Sequence, residues 1–150
     1  MTQGWRVTGL HHVAIAHGTD HVCEDALTSM VGPPGHTEDG PGFIERMYDL
    51  GGASVQTLEE TGEGVVRQFL DSRGPGLHHI AFEVDRIDDA LLDLAERGVP
   101  LIDRQARAGG RGARIAFLHP SALGGVLVEL VEASGAPPDR TPDRTKEDVI

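Results

Sequence analysis

The sequence is poor in cysteine and in aromatic residues, and both shortages restrict what the protein can be. Of its 150 residues only Cys23 is a cysteine, so the chain can form neither an internal disulfide nor a zinc site built from several cysteines. Aromatic residues make up 4% of the chain, which disfavours a cavity lined with rings that stack on an apolar ligand. The length is that of one domain.

Basic residues are also scarce, because 13 Lys and Arg stand against 24 Asp and Glu and give a net charge of −11. We therefore expect no nucleic-acid partner, since phosphate backbones are bound by clustered Lys and Arg. The N-terminal residues lack the apolar core of a signal peptide, and no apolar run approaches about 18 residues. These absences predict a protein of the reducing cytoplasm that is not bound to a membrane.

A heptad with two adjacent histidines occurs twice in the chain. Residues 9–15 read GLHHVAI, and residues 76–82 read GLHHIAF 67 positions later, with five of the seven residues identical. A repeat of this kind near half the chain length predicts two copies of one structural module.

The second copy is followed by a helix signal and then by extended runs. Asp85 is predicted to cap the helix and Gly98 to end it. Apolar residues recur at helical spacing between them, at Ile87, Leu91, Leu94 and Ala95. Three extended runs follow, over residues 101–106, 115–119 and 126–131.

The first copy is followed by the same succession. A helical stripe consists of Val22, Ala26, Leu27 and Met30. A loop over 32–42 comes next, then extended runs over 43–50 and 53–58, and a short helix over 65–72 joins the halves.

Each half therefore has a strand, a helix and further strands, which predicts an α+β fold of two paired βαβββ modules in a curved mixed sheet. We expect one domain over residues 1–133, with module one at about 9–62 and module two at about 76–132. Residues 134–150 contain few apolar residues and are expected to be a disordered tail.

Side-chain alternation predicts which histidines face the hollow of the sheet. Large apolar residues share a strand face with His11 and with His78, and this face is expected to meet the helices. His12 and His79 then lie on the opposite, concave face, beside small alanines, and alternation in the last strand places Glu129 there too. His11 and His78 are expected to be structural, and His17, His21 and His36 are expected to be loop or helix-surface residues.

Two imidazoles and a carboxylate form a ligand set that suits a divalent ion such as cobalt, manganese, iron, nickel or zinc. The alternative is that each histidine is an ordinary polar strand residue, as a single histidine in a strand commonly is. The duplicate positions of His12 and His79 favour the metal site.

Four segments of the chain, residues 10–16, 76–84, 115–120 and 125–130, resemble the vicinal oxygen chelate superfamily and, within it, the methylmalonyl-CoA epimerases. The resemblance covers about residues 9–132 and implies paired βαβββ modules around one metal. It places the metal ligands on His12, Gln56, His79 and Glu129. It also implies that Glu45, in the Gly-x-x-Glu segment 42–45, is a catalytic base and that Glu129 is the second acid–base group.

The resemblance further implies the activity. The protein would be an isomerase that epimerises methylmalonyl-CoA, or a related 2-substituted malonyl thioester, by removal of the α-proton and formation of a metal-stabilised enolate. One divalent ion is implied, with Co²⁺ favoured and Mn²⁺, Ni²⁺, Fe²⁺ or Zn²⁺ as alternatives. An acyl-CoA substrate and a homodimer are implied by the family alone.

Three other functions remain open on the same scaffold. A glyoxalase-type isomerase is disfavoured because its family carries glutamate where this chain has Gln56. A ring-cleaving dioxygenase needs a free coordination position for oxygen, which a bound Gln56 would fill. A metal-free protein that binds small molecules fits poorly with the low aromatic content.

Overall fold

The computed structural model describes residues 4–135, and residues 136–150, which include most of the expected disordered tail, lie outside the described range. The strands are β1 (Val7–His17), β2 (His36–Gly40), β3 (Phe43–Asp49), β4 (Ser54–Glu60), β5 (Gly76–Val84), β6 (Arg107–Ala108), β7 (Arg114–Leu118) and β8 (Val128–Glu132). The α-helices are α1 (Val22–Val31), α2 (Val65–Arg73) and α3 (Ile87–Glu96), and short 3₁₀ turns span Gly110–Gly112 and Pro120–Leu123. Within residues 4–135 the helices are too short or too polar to cross a membrane.

All eight strands form one mixed sheet in the order β2-β3-β4-β1-β5-β8-β7-β6. The two duplicated strands, β1 and β5, are antiparallel neighbours at its centre. Each of them pairs in parallel with the last strand of its own half, β1 with β4 and β5 with β8. Both halves therefore follow the succession βαβββ, and the prediction of two paired modules in a curved mixed sheet is confirmed.

Helices lie on both faces of the sheet. In the second module α3 packs on β5, β7 and β8 around Val84, Leu91 and Leu130, as alternation predicts. In the first module α2 packs instead on the face that carries His12, against Ala14, Ala16 and Leu58. The other face of β1, which carries Val13 and Ile15, meets α1 as predicted, since His17 on that face contacts Glu24 of the helix; the two apolar residues are only half-buried and belong to neither core cluster.

The predicted apolar stripe of α1 is wrong for three of its four residues, because Ala26 is exposed as well as Val22 and Met30. Val22 and Met30 are 66% and 71% exposed, and Leu27 is buried. The helix is held to the sheet partly by polar contacts instead, because Glu24 is also buried and lies against two residues of the strands below it.

A buried charged network lies beneath α1. Arg46 Nη1 donates to Glu59 Oε2 at 2.7 Å and to Glu24 Oε1 at 3.2 Å. His17 Nε2 is 2.5 Å from Glu24 Oε1, and the His17 side chain is only 5% exposed. The expectation that His17 lies at the surface is therefore wrong, since α1 covers the end of β1.

The predicted cap of α3 is also wrong. The helix begins after Arg86, whose side chain makes no cap, and Asp85 instead accepts a hydrogen bond from the backbone of Arg6. The first helical N–H, of Ile87, donates to Glu132 Oε2 at 2.7 Å. A carboxylate from the end of β8 therefore satisfies the helix start, which no local pattern encodes.

The predicted strand over residues 101–106 is reduced to one bridge between Leu101 and Leu118. The backbone turns away there because the N–H groups of Ile102 and Asp103 both donate to the carbonyl of Phe117. The Asp103 carboxylate accepts from Phe117 N–H, so a side chain replaces a bond of the strand ladder.

The loop expected over residues 32–42 contains an edge strand, β2. It pairs with β3 so that Glu38 lies opposite Glu45. Gly42 ends the connecting turn with φ of 83°, and a Cβ at this position would lie 2.2 Å from a backbone carbonyl oxygen. Only glycine fits here, and the turn fixes where β3 begins.

Candidate active site

The pairing of β1 with β5 contains shifts of register that are related by the duplication. His11 is an extra residue opposite the consecutive pair Ala81 and Phe82, and His78 is an extra residue opposite Ala14 and Ile15. A bulge re-aims side chains away from strict alternation. All four histidines of the two heptads consequently line one cavity.

The inner histidines and a glutamate converge at the middle of the sheet. His12 Nε2 and His79 Nε2 are 2.9 Å apart. Glu129 Oε2 lies 3.3 Å from the first and 2.8 Å from the second. All three side chains are buried, so the structure brings together three of the four residues that the resemblance names as metal ligands.

The fourth predicted ligand, Gln56, lies on β4 beside β1, in register with Ala14, and lines the same cavity. Its side chain is buried, and its Oε1 atom has no hydrogen-bond partner within residues 4–135. A buried oxygen without a partner costs about 1–3 kcal/mol. The donors therefore fit a divalent ion, since cis ligands bonded at about 2.1 Å stand roughly 3 Å apart.

The outer histidines contact the inner ones through their other ring nitrogens. His11 Nδ1 lies 2.7 Å from His12 Nδ1, and His78 Nδ1 lies 2.8 Å from His79 Nδ1. The expectation that His11 and His78 lie on the face opposite His12 and His79 is wrong, because strand alternation fails at the register shifts where these two residues stand.

Burial keeps the outer imidazoles neutral. Desolvation, and then the neighbouring His79, lowers the pKa of His78 to about 4. Desolvation and His12 lower the pKa of His11 in the same way. Burial also lowers the pKa of His79.

For the carboxyl of Glu129, hydrogen bonds and neighbouring charges outweigh the effect of burial on the pKa. Desolvation tends to raise its pKa, but the hydrogen bonds and charges of His12 and His79 outweigh this and lower the pKa to about 2. Glu129 is therefore an anion at neutral pH, which is the state in which a carboxylate can bind a cation.

Glu45 lines the same cavity from β3. Burial, and then the negative charge of Glu38, raises the pKa of its carboxyl. The facing oxygens of Glu38, Glu45 and the ring nitrogen of His36 lie within 4.8 Å of one another. A raised pKa is the property that a general base near neutral pH requires. Glu38 was missed from the sequence, although its cross-strand position follows once β2 is recognised.

The cavity has a volume of about 530 Å³. Its apolar part includes Phe43 and Phe117, and Arg107 and Arg111 line it from the segment around β6. Arg107 lies over the Phe117 ring at 5.3 Å. Arg111 has φ of 58° between two glycines. Sequence reasoning missed both arginines, although a Gly-Arg-Gly turn in an acidic chain was a usable signal.

Paired βαβββ modules, with histidines of both central strands and a glutamate of the last strand around one cavity, define a protein of the vicinal oxygen chelate class. The family model of the Glyoxalase/Bleomycin resistance protein/Dioxygenase superfamily matches residues 36–117. Members of this superfamily usually bind a divalent metal.

Individual relatives narrow the class. The mitochondrial methylmalonyl-CoA epimerase of Bos taurus is 33% identical over 136 residues, which cover 86% of this chain and 77% of the bovine one. A variant of the Streptomyces coelicolor methylmalonyl-CoA epimerase, solved with 2-nitronate-propionyl-CoA, superposes with a TM-score of 0.80 at 31% identity over 87% of this chain and 100% of that one. The Mycobacterium tuberculosis methylmalonyl-CoA epimerase superposes with a TM-score of 0.79 at 36% identity, over 91% of this chain and 94% of that one. The chain therefore belongs to the methylmalonyl-CoA epimerase family, a family of isomerases.

Proposed function

We propose that this protein epimerises methylmalonyl-CoA or a closely related 2-substituted malonyl thioester at its α-carbon. The observation that carries the proposal is that Glu45, a carboxyl of raised pKa, lines the same cavity as the buried cluster of His12, His79 and Glu129. A base and a ligand set for a cation are what removal of a weakly acidic α-proton requires.

We assign the metal ligands to His12, Gln56, His79 and Glu129, with Co²⁺ as the favoured ion and Mn²⁺, Ni²⁺, Fe²⁺ or Zn²⁺ as alternatives. The orphaned Gln56 Oε1 supports this assignment because it gains a partner when an ion is bound. The bound ion supplies Lewis-acid charge that favours the enolate over the neutral thioester.

We assign the proton steps to two carboxyl groups. Glu45 takes the α-proton as a carboxylate, and the electron pair of the broken C–H bond passes into the enolate. Return of a proton to the opposite face is assigned to Glu129 acting through a water molecule: the water protonates the enolate carbon, and the hydroxide left behind takes the proton from Glu45, so both carboxylates are restored. The low pKa of Glu129 makes it a weak base, so Glu45 bears the main part of proton abstraction.

The mouth of the cavity suits an anionic substrate. Arg107 and Arg111 place positive charge there in a protein of net charge −11. Within residues 4–135 the guanidinium of Arg111 has no hydrogen-bond or ion-pair partner, and only its backbone carbonyl is engaged, by Ser134. A malonyl carboxylate or a CoA phosphate of the substrate would supply an anionic partner for this guanidinium.

The relatives support the same substrate class. The ligand of the Streptomyces protein is an acyl-CoA with a nitronate group, a planar delocalised anion that resembles a thioester enolate. The relatives described above are named as epimerases, and none as a glyoxalase, a dioxygenase or a drug-binding protein.

Proton NMR of (2R,2S)-methylmalonyl-CoA in deuterium oxide tests the proposal. With cobalt-loaded protein we expect rapid loss of the α-proton signal, and a chelator should abolish this loss. A sample without protein gives the spontaneous exchange. If cobalt is bound at full stoichiometry and exchange does not exceed that of the blank, the proposed function is wrong.

Glu45→Gln separates the base from the metal site. We expect this variant to bind cobalt at full stoichiometry and to lose at least about 100-fold in exchange rate, since general base catalysis contributes about that much or more. Glu96→Gln, an exposed carboxylate on α3, is the matched control and should exchange like the wild type. Normal exchange by Glu45→Gln would remove Glu45 from the mechanism.

A further inference from the structure

We infer that His11 and His78 are positioning residues, each of which accepts a hydrogen bond from the Nδ1–H of the adjacent inner histidine and thereby fixes the tautomer that points Nε2 at the metal. The inference rests on the metal site of the proposed function. It extends that site by a second pair of histidines related by the duplication.

The hydrogen-bond inventory of imidazole requires such an arrangement. A neutral imidazole has one N–H donor and one acceptor nitrogen. His12 and His79 direct their Nε2 atoms at each other and at Glu129. If these nitrogens are to accept a cation, both Nδ1 atoms must carry the proton and need an acceptor.

The outer rings provide that acceptor. The two Nδ1···Nδ1 distances, 2.7 Å for His11 with His12 and 2.8 Å for His78 with His79, are those of hydrogen bonds. Each outer ring then accepts at Nδ1 and keeps its own proton on Nε2. A histidine thus takes the place of the carboxylate or backbone carbonyl that usually supports a metal-bound imidazole.

The backbone is built to make these contacts. Adjacent residues of a regular strand point to opposite faces, so neighbouring imidazoles of a flat strand could not meet. His11 and His78 are the extra residues at two of the three register shifts between β1 and β5. The same irregularity in both copies of the heptad gives both inner histidines the same support.

The outer ring of the second module is itself fixed in place. The His78 ring packs on Phe69 of α2 with centroids 4.8 Å apart. His78→Phe would retain this packing while it removes the acceptor nitrogen. His78→Asn would restore an acceptor, because Asn Oδ1 occupies nearly the position of His Nδ1.

Cobalt binding provides the test, and it does not depend on turnover. We expect His78→Phe and His11→Phe to weaken Co²⁺ affinity about 10- to 100-fold, measured by competition with a chelator. The asparagine variants should recover most of this loss. His119→Phe, at an exposed histidine bound to Ser121 outside the cavity, is the control and should bind cobalt like the wild type.

A proton spectrum of the cobalt-loaded protein in water reports on the hydrogen bonds themselves. We expect one exchangeable, paramagnetically shifted signal for the Nδ1–H of each inner histidine. His78→Phe should broaden one of them by faster exchange with solvent and leave the other sharp. Thermal unfolding confirms that each variant is folded.

The outcomes separate the inference from the proposed function. If wild-type protein takes up no cobalt, the metal assignment and the inference fail together. If wild-type protein binds cobalt and both phenylalanine variants bind it equally tightly with sharp signals, only the inference fails. It is also overturned if the asparagine variants lose as much affinity as the phenylalanine variants.

Discussion

Replacement of Arg46 by methionine should destabilise the protein by about 3 kcal/mol, because two buried carboxylates lose their cationic partner. Arg46 Nη1 lies 2.7 Å from Glu59 Oε2 and 3.2 Å from Glu24 Oε1. The side chains of the two glutamates are only 7% and 11% exposed. Removal of one partner from a buried ion pair costs about 3–5 kcal/mol, since the remaining charge loses its compensation.

The lower end of that range applies for two structural reasons. The Arg46 side chain is 20% exposed, so water partly screens its interactions. In the variant the His17 ring would still lie beside Glu24, with Nε2 2.5 Å from Oε1, so this carboxylate would keep a polar neighbour. A loss of about 3 kcal/mol corresponds to a fall in Tm of roughly 10 °C for a domain of this size.

Thermal and urea unfolding of the variants measure the effect. Arg114→Met is the matched control, because Arg114 bonds Asp88 through both nitrogens at 2.7 and 2.8 Å but the pair is 45% and 67% exposed. This control should unfold close to the wild type, since solvent-exposed ion pairs contribute little to stability. Glu24→Gln in the Arg46→Met background should recover part of the loss. Equal losses for the two arginine variants, or no recovery, would refute the stranded-charge explanation.

Three further predictions follow from single contacts. Gly42→Ala should lower the unfolding free energy by at least about 3 kcal/mol, whereas Gly51→Ala, with φ of 94° and open space around it, should lose only about 1 kcal/mol in urea unfolding. The pKa of His78 falls to about 4 on folding, so below pH 6.5 the unfolded chain binds more protons than the folded one. The unfolding free energy of the metal-free protein should therefore fall by about 2 kcal/mol between pH 6.5 and pH 4. The fall should be smaller for His78→Asn. Gln56→Leu, which removes the orphaned oxygen, should stabilise the metal-free protein by up to about 1 kcal/mol yet weaken cobalt binding about tenfold; unchanged cobalt affinity would count against Gln56 as a ligand.

The duplication made the fold and the centre of the site predictable. Two copies of one heptad predict two modules, and alternation in regular strands places His12, His79 and Glu129 on one face. These inferences need only local periodicity and symmetry, and the structure brings the three side chains within 4.8 Å of one another.

The features that sequence reasoning missed depend on partners distant in the chain. A register shift is a property of two paired strands, so nothing within either heptad reveals that His11 and His78 turn into the cavity. The edge strand β2 (HTEDG) has no apolar alternation and is defined by its bonds to β3. The start of α3 is satisfied by Glu132, 45 residues away, which a search for local caps cannot find.

The division of the site between the two modules has a consequence for how the protein matures. One half contributes His12, Glu45 and Gln56, and the other contributes His79 and Glu129, across the seam of β1 and β5. A chain that emerges from the ribosome N-terminus first holds only part of the proposed ligand set until its last strand, β8, has paired. Such long-range pairing is a late event in folding. On the proposed ligand assignment, partly made chains lack a complete metal site, and the ability to bind the ion is acquired only when the two halves have joined.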